Sequence, residues 1–214
     1  MSYEIVTEYI EGLYKNNELT NRQYTDATEL RSFGHIIDDS VARMLQVLIL
    51  SKKPQKVLEI GTSIGFSTTI MAQVMKQYGG KIVTIEIDKK IAAQAMKNFK
   101  REGVAGQIEL KIGDARKIVA GMGSEFDLIF QDVGDKKLYA EMFDDYLRLL
   151  KDNGLLVAED MLFPVFESCF DDDGLIEMCQ PIDIFNKKVA TNCCFVSTIL
   201  PLGDGLTVAV KKFT

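Results

Sequence analysis

Histidine, cysteine and long apolar runs are scarce in this sequence of 214 residues. The one histidine, His35, excludes a site built from several imidazoles, and the four cysteines include no C-x-x-C pair, which argues against a zinc site. No apolar run approaches the roughly 20 residues that span a bilayer, and the N-terminus has no basic stretch of the kind that opens a secretory signal. We therefore expect a cytoplasmic protein with reduced cysteines and no membrane segment.

Basic residues are outnumbered by acidic ones. The 25 lysines and arginines against 31 aspartates and glutamates give a formal net charge of -6. Because binding to phosphates draws on clustered Lys and Arg, this balance disfavours nucleic acid as a partner. We predict one domain over residues 1–214, in which residues 1–35 form a peripheral helical segment.

Short apolar runs alternate with helical patterns along the chain after Pro54. The predicted strands occupy residues 56–60, 81–86, 107–112, 126–131 and 154–159, and two more, at 193–200 and 205–212, form a hairpin. Helices are predicted at 66–78, from a cap at Asp88 towards Gly103, and as one stripe over 139–150. This alternation predicts a parallel sheet covered on both faces, to which the hairpin adds an antiparallel strand.

The segment VLEIGTSIGFST, residues 57–68, joins a buried strand to a helix through the turn from Gly61 to Gly65. Glycine lets the backbone approach a ligand closely, and a helix N-terminus offers unpaired N–H groups to an anion. The next strand ends in Glu86, whose carboxylate can accept both hydroxyls of a ribose. Together these features predict a nucleoside cofactor at the carboxyl ends of the strands, with a tight turn and a surface glutamate as the structural alternative.

The same turn has features of two other motifs. It matches G-x-S-x-G, the nucleophile elbow of hydrolases, but that fold places its catalytic histidine after the serine and no histidine follows Ser63. The dinucleotide fingerprint G-x-G-x-x-G is not matched, because Ser63 occupies the position of the second glycine. The sequence therefore excludes this hydrolase and disfavours an NAD enzyme, although a variant turn stays open.

Acidic residues follow the later strands where those strands end. Asp132 follows residues 126–131 and Asp160 follows residues 154–159, so adjacent strand ends can bring the two carboxylates together. Oxygen ligands of this kind suit Mg²⁺, with two solvated loop aspartates as the alternative. Asp114, after the third strand, suits a hydrogen bond to a base edge, a cap on the following helix, or both.

These segments, together with VTIEID, IGDA, FDLIFQD, DKKLY and LPLGDGLTVAVKK, resemble the cation-dependent O-methyltransferases, which include catechol and caffeoyl-CoA O-methyltransferases and bacterial relatives. The resemblance covers residues from about 36 to 212 and is weaker at 161–180. It implies an α/β fold with a Rossmann-like seven-stranded sheet, order 3-2-1-4-5-7-6 with strand seven antiparallel, and helices on both faces. It also implies methyl transfer from S-adenosylmethionine to a hydroxyl of a small catechol-like or phenolic molecule, assisted by Mg²⁺ or another divalent cation.

The resemblance assigns cofactor contacts to residues at the ends of the first four strands. The assigned residues are Gly61, Ser63 and Ser67 for the methionine portion, Glu59 for the turn or the methionyl ammonium, Glu86 for the ribose, Gly113, Asp114 and Ala115 for the adenine, and Asp132. Asp132 and Asp160 are also implied as metal ligands that take part in catalysis.

The chain departs from the family at the third metal ligand. Relatives carry an asparagine after the second aspartate, whereas here Met161 follows Asp160. Because methionine is a soft, weak donor, it is a poor Mg²⁺ ligand. Glu159, Gln131, Asp135 or a water would have to compensate, and the sequence does not choose among them.

A second departure concerns the catalytic base. The segment QDVGDKKLY is one residue longer than the family spacing between the metal-binding aspartate and the following lysine. By resemblance Lys136 aligns with the catalytic lysine, and Lys137 is the alternative. A lysine, with an ordinary pKa of about 10.4, needs that pKa lowered before it can act as a base. Two lysines on a solvated helix end are the other interpretation.

The acceptor pocket is predicted between residues 35–39 and 161–180, where Phe163 stands at the position of a tryptophan that flanks the acceptor ring in relatives. Relatives commonly pair through N-terminal helices, so we expect a homodimer. Two alternatives stay open on the same fold: a metal-independent methyltransferase and a cofactor-binding protein that has lost catalysis.

Overall fold

Seven strands form one sheet in the computed structural model, which describes residues 3–14, 19–30, 36–169 and 172–213. The strands are β1 (Lys56–Ile60), β2 (Lys81–Glu86), β3 (Ile108–Ile112), β4 (Phe126–Gln131), β5 (Leu150–Ala158), β6 (Phe195–Leu200) and β7 (Leu206–Lys211). Their order is β3-β2-β1-β4-β5-β7-β6, in which β7 runs antiparallel to both of its neighbours. The predicted fold class and strand order are confirmed.

Helices cover both faces of this sheet. They are α1 (Tyr3–Tyr14), α2 (Asn21–Asp26), α3 (Asp39–Lys52), α4 (Phe66–Met75), α5 (Lys89–Arg101), α6 (Ala115–Val119), α7 (Lys137–Glu141), α8 (Phe143–Leu149) and α9 (Asp173–Thr191), with 3-10 helices at Ala105–Gln107 and Phe163–Cys169. One apolar layer, which includes Leu45 and Phe99, lies under α3, α4 and α5. The other, which includes Tyr139 and Phe185, lies under α6 to α9.

Local sequence explains the elements at the cofactor turn. Asp88 caps α5, because its side chain accepts the N–H groups of Lys90 at 2.6 Å and Ile91 at 3.1 Å, and this cap was predicted. Gly65 precedes α4 with a φ of 90°, and an added Cβ would lie 2.4 Å from the Phe99 ring. Only glycine fits there, which lets α4 begin close against α5.

Several predicted bounds differ from the structure: α4 ends at Met75 rather than at 78, and β3 begins at Ile108 rather than at 107. The single helix predicted at 139–150 is wrong, since the chain leaves helical geometry at Met142 (φ -91°, ψ 5°) and forms α7 and α8 instead. The fifth strand begins at Leu150 rather than at 154. A register shift between Phe126 and Leu128 of β4 accommodates residues 150–153, which therefore extend β5.

The helix α1 lies at the periphery, where its apolar side chains are exposed. Arg43 of α3 holds this helix through an ion pair with Glu11 and lies 4.5 Å from the ring centroid of Tyr14. Within the described residues, no helix combines the length and apolar character needed to cross a membrane. The single domain and the cytoplasmic location stay predictions, and His35 lies outside the described residues.

Candidate functional site

A cavity of about 680 Å³ opens at the carboxyl ends of the central strands. Its size lies within the range of small-molecule sites. One part is bordered by residues after β1, β2 and β3, and we call this part the cofactor end: Gly61, Ser63, Glu86, Gly113, Asp114 and Ala115. The other part follows β4 and β5, and we call it the acidic end: Asp132, Lys136, Glu159 and Asp160.

The turn after β1 is fixed by its contacts with both neighbouring strands. Gly61 has a φ of 99°, and an added Cβ would lie 1.7 Å from the backbone oxygen of Asp132. The N–H of Ser63, a residue in the left-handed region at φ 51°, donates to Glu86 Oε2 at 2.8 Å. Glu86 Oε1 accepts the N–H of Asp88 at 3.0 Å. One buried carboxylate therefore joins the turn to the start of α5.

Buried polar side chains hold the turn from behind. The Tyr24 hydroxyl of α2 lies 2.9 Å from Gly65 O, 3.3 Å from Ile64 O and 2.9 Å from Thr69 Oγ1. Asn98 of α5 donates to Ile64 O at 2.9 Å. Burial raises the pKa of the Tyr24 phenol, so it stays protonated and can donate. A segment distant in sequence thus fixes the backbone at the cofactor end.

Glu59 lies fully buried behind the same turn. Its carboxylate accepts hydrogen bonds from Ser67 and Thr84, each at 2.6 Å, and from Thr68. Burial raises the pKa of Glu59 to about 7 although these three hydroxyls oppose the shift. Neither Glu59 nor Ser67 borders the cavity in this conformation, because each engages the other. Their direct contact with a cofactor stays a prediction.

Asp114 follows β3 and caps α6, which was one of its two predicted roles. Its Oδ1 accepts the N–H of Arg116 at 3.0 Å, and the guanidinium of the same residue pairs with both carboxylate oxygens. Arg116 holds the pKa of Asp114 below its usual range. Gly113, Asp114 and Ala115 all border the cavity, so the structure places the three predicted adenine contacts on one wall.

Three carboxylates meet at the acidic end, because the parallel hydrogen-bond ladder continues past the strand ends. Asp132 N–H donates to Ile60 O and Glu159 N–H to Gln131 O, both at 3.0 Å. Oxygens of Asp132, Glu159 and Asp160 all lie within 4.8 Å of one another. Burial, followed by repulsion from Asp160, raises the pKa of Asp132 to about 7 and that of Glu159 to about 11. Such oxygen donors suit a hard divalent cation.

Lys136 is the basic residue that borders this cluster. Its ammonium donates to Asp160 and, at 2.6 Å, to Val133 O, and the side chain is only 8% exposed. Lys137 is exposed and does not border the cavity. Tyr139 donates its hydroxyl to Asp160 at 3.5 Å. The structure therefore brings Lys136, rather than Lys137, to the two predicted aspartates.

The residue after Asp160 faces away from the cavity. Met161 is 1% exposed and packs in the apolar layer under α9, where the side chain of Asn186 donates to its backbone oxygen. Gln131, another residue considered for the cluster, contacts Tyr146 under the sheet. Among the three side chains that the sequence offered as replacements for the family asparagine, Glu159 and Asp135 border the cavity.

A sheet of this order, with β7 antiparallel and a cavity at the carboxyl ends of the parallel strands, defines a class: the Rossmann-like methyltransferases. The chain belongs to the O-methyltransferase family, whose sequence profile matches residues 16–212. It is 31% identical over 185 residues to a catechol O-methyltransferase from Niastella koreensis, covering 82% of each chain. It is also 31% identical to one from Mycobacterium tuberculosis over 88% of this chain and 85% of that one.

Solved structures share the fold. An O-methyltransferase from Bacillus cereus in complex with S-adenosylhomocysteine (SAH) superposes with a TM-score of 0.82 at 24% identity, covering 97% of each chain. An SAH-bound methyltransferase from Podospora anserina gives 0.84 at 22% identity, covering 100% of this chain and 97% of that one. The enzyme class predicted from the sequence, a SAM-dependent O-methyltransferase, is confirmed.

Sequence reasoning missed two residues that shape the site. Asp204, between β6 and β7, borders the cavity, as does Asp38 from the predicted wall at residues 35–39, and burial raises the pKa of both. Tyr24 was not singled out, since nothing in the sequence marks its contact with a turn 40 residues away. Phe163 borders the cavity as expected.

Proposed function

We propose that this enzyme transfers the methyl group of S-adenosylmethionine to a hydroxyl oxygen of a small catechol-like or phenolic acceptor, with assistance from a divalent cation. The observation that carries the proposal is that one cavity joins the cofactor end to the acidic end. A methyl donor at the first and an acceptor oxygen at the second would share the same space. Such positioning lowers the barrier of a two-substrate reaction.

The cofactor end supports a nucleoside. The carboxylate of Glu86 faces the cavity at the end of β2, where a ribose can use its remaining acceptor capacity. Asp114, kept ionised by Arg116, can accept from an amino group of the adenine. Ser63 and Gly61 would border the methionine portion, and Asp132 would stand between the methyl donor and the acceptor.

The donor chemistry of the acidic end fits a hard cation. Asp132, Glu159 and Asp160 offer oxygen atoms close together in a partly enclosed site. When bound, a divalent cation lowers the pKa of the acceptor hydroxyl and orients its oxygen. Mg²⁺ is our first choice, since it is satisfied by a few carboxylates with substrate oxygens and water.

The proposed reaction is a single nucleophilic displacement at the methyl carbon. The acceptor oxygen forms a bond to the methyl carbon while the carbon–sulfur bond breaks, and the sulfur keeps that electron pair as S-adenosylhomocysteine leaves. The proton of the acceptor hydroxyl is lost to a base. Lys136 is the proposed base, and it must release Asp160 and enter as the neutral amine to accept that proton.

A labelled-cofactor assay with a panel of catechols and simple phenols tests this function. Purified protein should methylate a catechol with Mg²⁺ present and lose that turnover in EDTA. Binding of SAH without turnover on any acceptor would contradict the proposal. Turnover that EDTA leaves unchanged would support a second candidate, a metal-independent methyltransferase, which the ion pair between Lys136 and Asp160 favours.

We also propose that two copies of the chain associate through α1. Its exposed apolar side chains would be covered by the second copy; they include Ile5 (64% exposed), Tyr9 (70%) and Leu13 (55%). Light scattering should give twice the monomer mass for the native chain and a smaller mass for Tyr9→Glu. Monomers at all concentrations would rule this out. The proposed acceptor is a small molecule, and nucleic acid and membrane stay excluded as predictions only.

A further inference from the structure

The helix α2 depends on its tertiary contacts, because its six residues are far fewer than a helix needs to be stable alone in water. Tyr24 of this helix is fully buried, whereas Arg22 and Asp26 are exposed. No residue of α2 borders the cavity in the part of the chain that the structure describes. Any effect of α2 on the site must therefore pass through the segments that it contacts.

Tyr24 joins α2 to the cofactor turn. Its hydroxyl lies 2.9 Å from Gly65 O and 2.9 Å from Thr69 Oγ1, at the beginning of α4. Its ring contacts that of Phe66, with 5.3 Å between the two centroids. The turn from Gly61 to Gly65 therefore takes part of its position from a helix that lies outside the cavity.

Asn21 joins α2 to a second segment, residues 36–38, which we call the wall segment because all three residues border the cavity. The Asn21 N–H donates to Oδ1 of Asp39, which directly follows the wall segment, at 2.6 Å. The side-chain amide of Asn21 donates to Ile37 O at 3.4 Å. The wall segment belongs to the region in which the sequence predicts the acceptor pocket. One short helix thus contacts backbone on the cofactor side and on the acceptor side.

We propose that Asn21 and Tyr24 are positioning residues, through which α2 couples the wall segment to the cofactor turn. The two residues are three positions apart, so they lie on one face of the helix and move together while it stays helical. A cofactor that fixes the turn then also fixes the wall segment, and the acceptor loses less conformational entropy when it binds. The inference rests on the proposed function, because it concerns the sites of its two substrates.

A double-mutant cycle on the affinity for SAH tests this coupling in the full-length protein and needs no acceptor. Tyr24→Phe removes only the hydroxyl. Asn21→Pro removes both donors to the region of the wall segment. It should keep the helix, since proline is favoured at the first helical position and the preceding Thr20 is already extended, with a ψ of 157°. Calorimetry should find the Kd for SAH raised about fivefold in each single variant, the effect of one lost hydrogen bond.

The double variant distinguishes coupling from two independent effects. Its Kd should also be raised about fivefold, because either single change already loosens α2. A rise of roughly 25-fold, the product of two independent effects, would overturn the proposal, as would an unchanged Kd in Asn21→Pro. Arg22→Ala is the matched control on the same helix, since its exposed side chain pairs with Asp26 at the surface, and its Kd should change less than about twofold.

Hydrogen–deuterium exchange gives a readout that a general loss of stability would not move. Saturating SAH should slow exchange of the α2 amides at least about threefold in the native protein and leave it unchanged in Tyr24→Phe. Equal slowing in both proteins would overturn the proposal. If Asn21→Pro fails to fold, Asp39→Ala removes the 2.6 Å contact from its other partner and takes its place in the cycle. A native protein that binds no SAH would contradict the proposed function as well, whereas additive effects on SAH binding would overturn this inference alone.

Discussion

The two ends of the cavity differ in how far the protein satisfies its own polar groups. At the cofactor end, Glu86 accepts two backbone N–H groups and Glu59 accepts three hydroxyls. At the acidic end, three carboxylates share one lysine, and burial raises the pKa of two of them. The comparison teaches that the first end is preorganised, while the second leaves its carboxylates for the cation and the acceptor that we propose.

Replacing a proposed metal ligand at the acidic end should have the largest effect. Asp160→Asn keeps the shape and tolerates the φ of 73° at this position, since asparagine enters the left-handed region readily. We expect kcat with a catechol to fall by roughly 1,000-fold, because several kcal/mol of charge stabilisation are lost. Calorimetry should find the Kd for SAH changed by less than about threefold. Normal turnover would show that this carboxylate takes no part in the mechanism and that the two ends do not differ as described.

Because Glu59 titrates, the free energy of unfolding should fall as the pH rises. Its folded pKa, about 7, lies above the ordinary value of 4.5, so its contribution is present below pH 4.5 and is lost as the pH rises to 7. The loss is up to about 3 kcal/mol in the free energy of unfolding. Urea denaturation of the native protein and Glu59→Gln at pH 5 and 7.5 checks this. The variant should gain relative stability at the higher pH, and parallel behaviour would contradict the assignment.

Glu86→Ala tests the cofactor end. The variant should weaken SAH binding by about 1.5–3 kcal/mol, because charge-assisted hydrogen bonds to a ribose and the tie to Ser63 are both lost. At saturating cofactor, kcat should change far less than in Asp160→Asn. Glu86→Gln, which keeps the shape of the side chain, serves as the control. Its Kd for SAH should lie between those of the native protein and Glu86→Ala. An unchanged Kd in Glu86→Ala would mean that the cofactor binds elsewhere.

The smallest expected effect is that of Tyr24→Phe. Loss of the phenol leaves Gly65 O and Thr69 with one partner fewer, which should cost about 1 kcal/mol of stability. The turn should then be less well ordered, and the Kd for SAH should rise by roughly fivefold at unchanged Mn²⁺ affinity. Parallel calorimetric titrations measure both. A change in Mn²⁺ affinity of the same size would show that the two ends are not independent.

Much of the fold was predictable because its central strands are short, mainly apolar runs. β1, β2 and β4 have the predicted bounds, since a strand buried on both faces carries few polar residues. The break at Met142 was not readable, because neither glycine nor proline marks it. Helical periodicity alone continues through that residue.

The candidate site was predictable where residues follow strands directly. Glu86, Asp132 and Asp160 end neighbouring parallel strands, and such ends must meet at one edge of the sheet. Tyr24 reaches the site through tertiary packing of the N-terminal region, which no local pattern encodes. The sequence named Glu159 among several candidates, and the structure places it at the cavity beside Asp132 and Asp160.

Calorimetry with SAH on cofactor-stripped protein tests the central claim most directly, because it needs no knowledge of the acceptor. The account predicts saturable heat with one site per chain, which Glu86→Ala weakens and Asp160→Asn leaves nearly unchanged. Absence of heat from the native protein would contradict it.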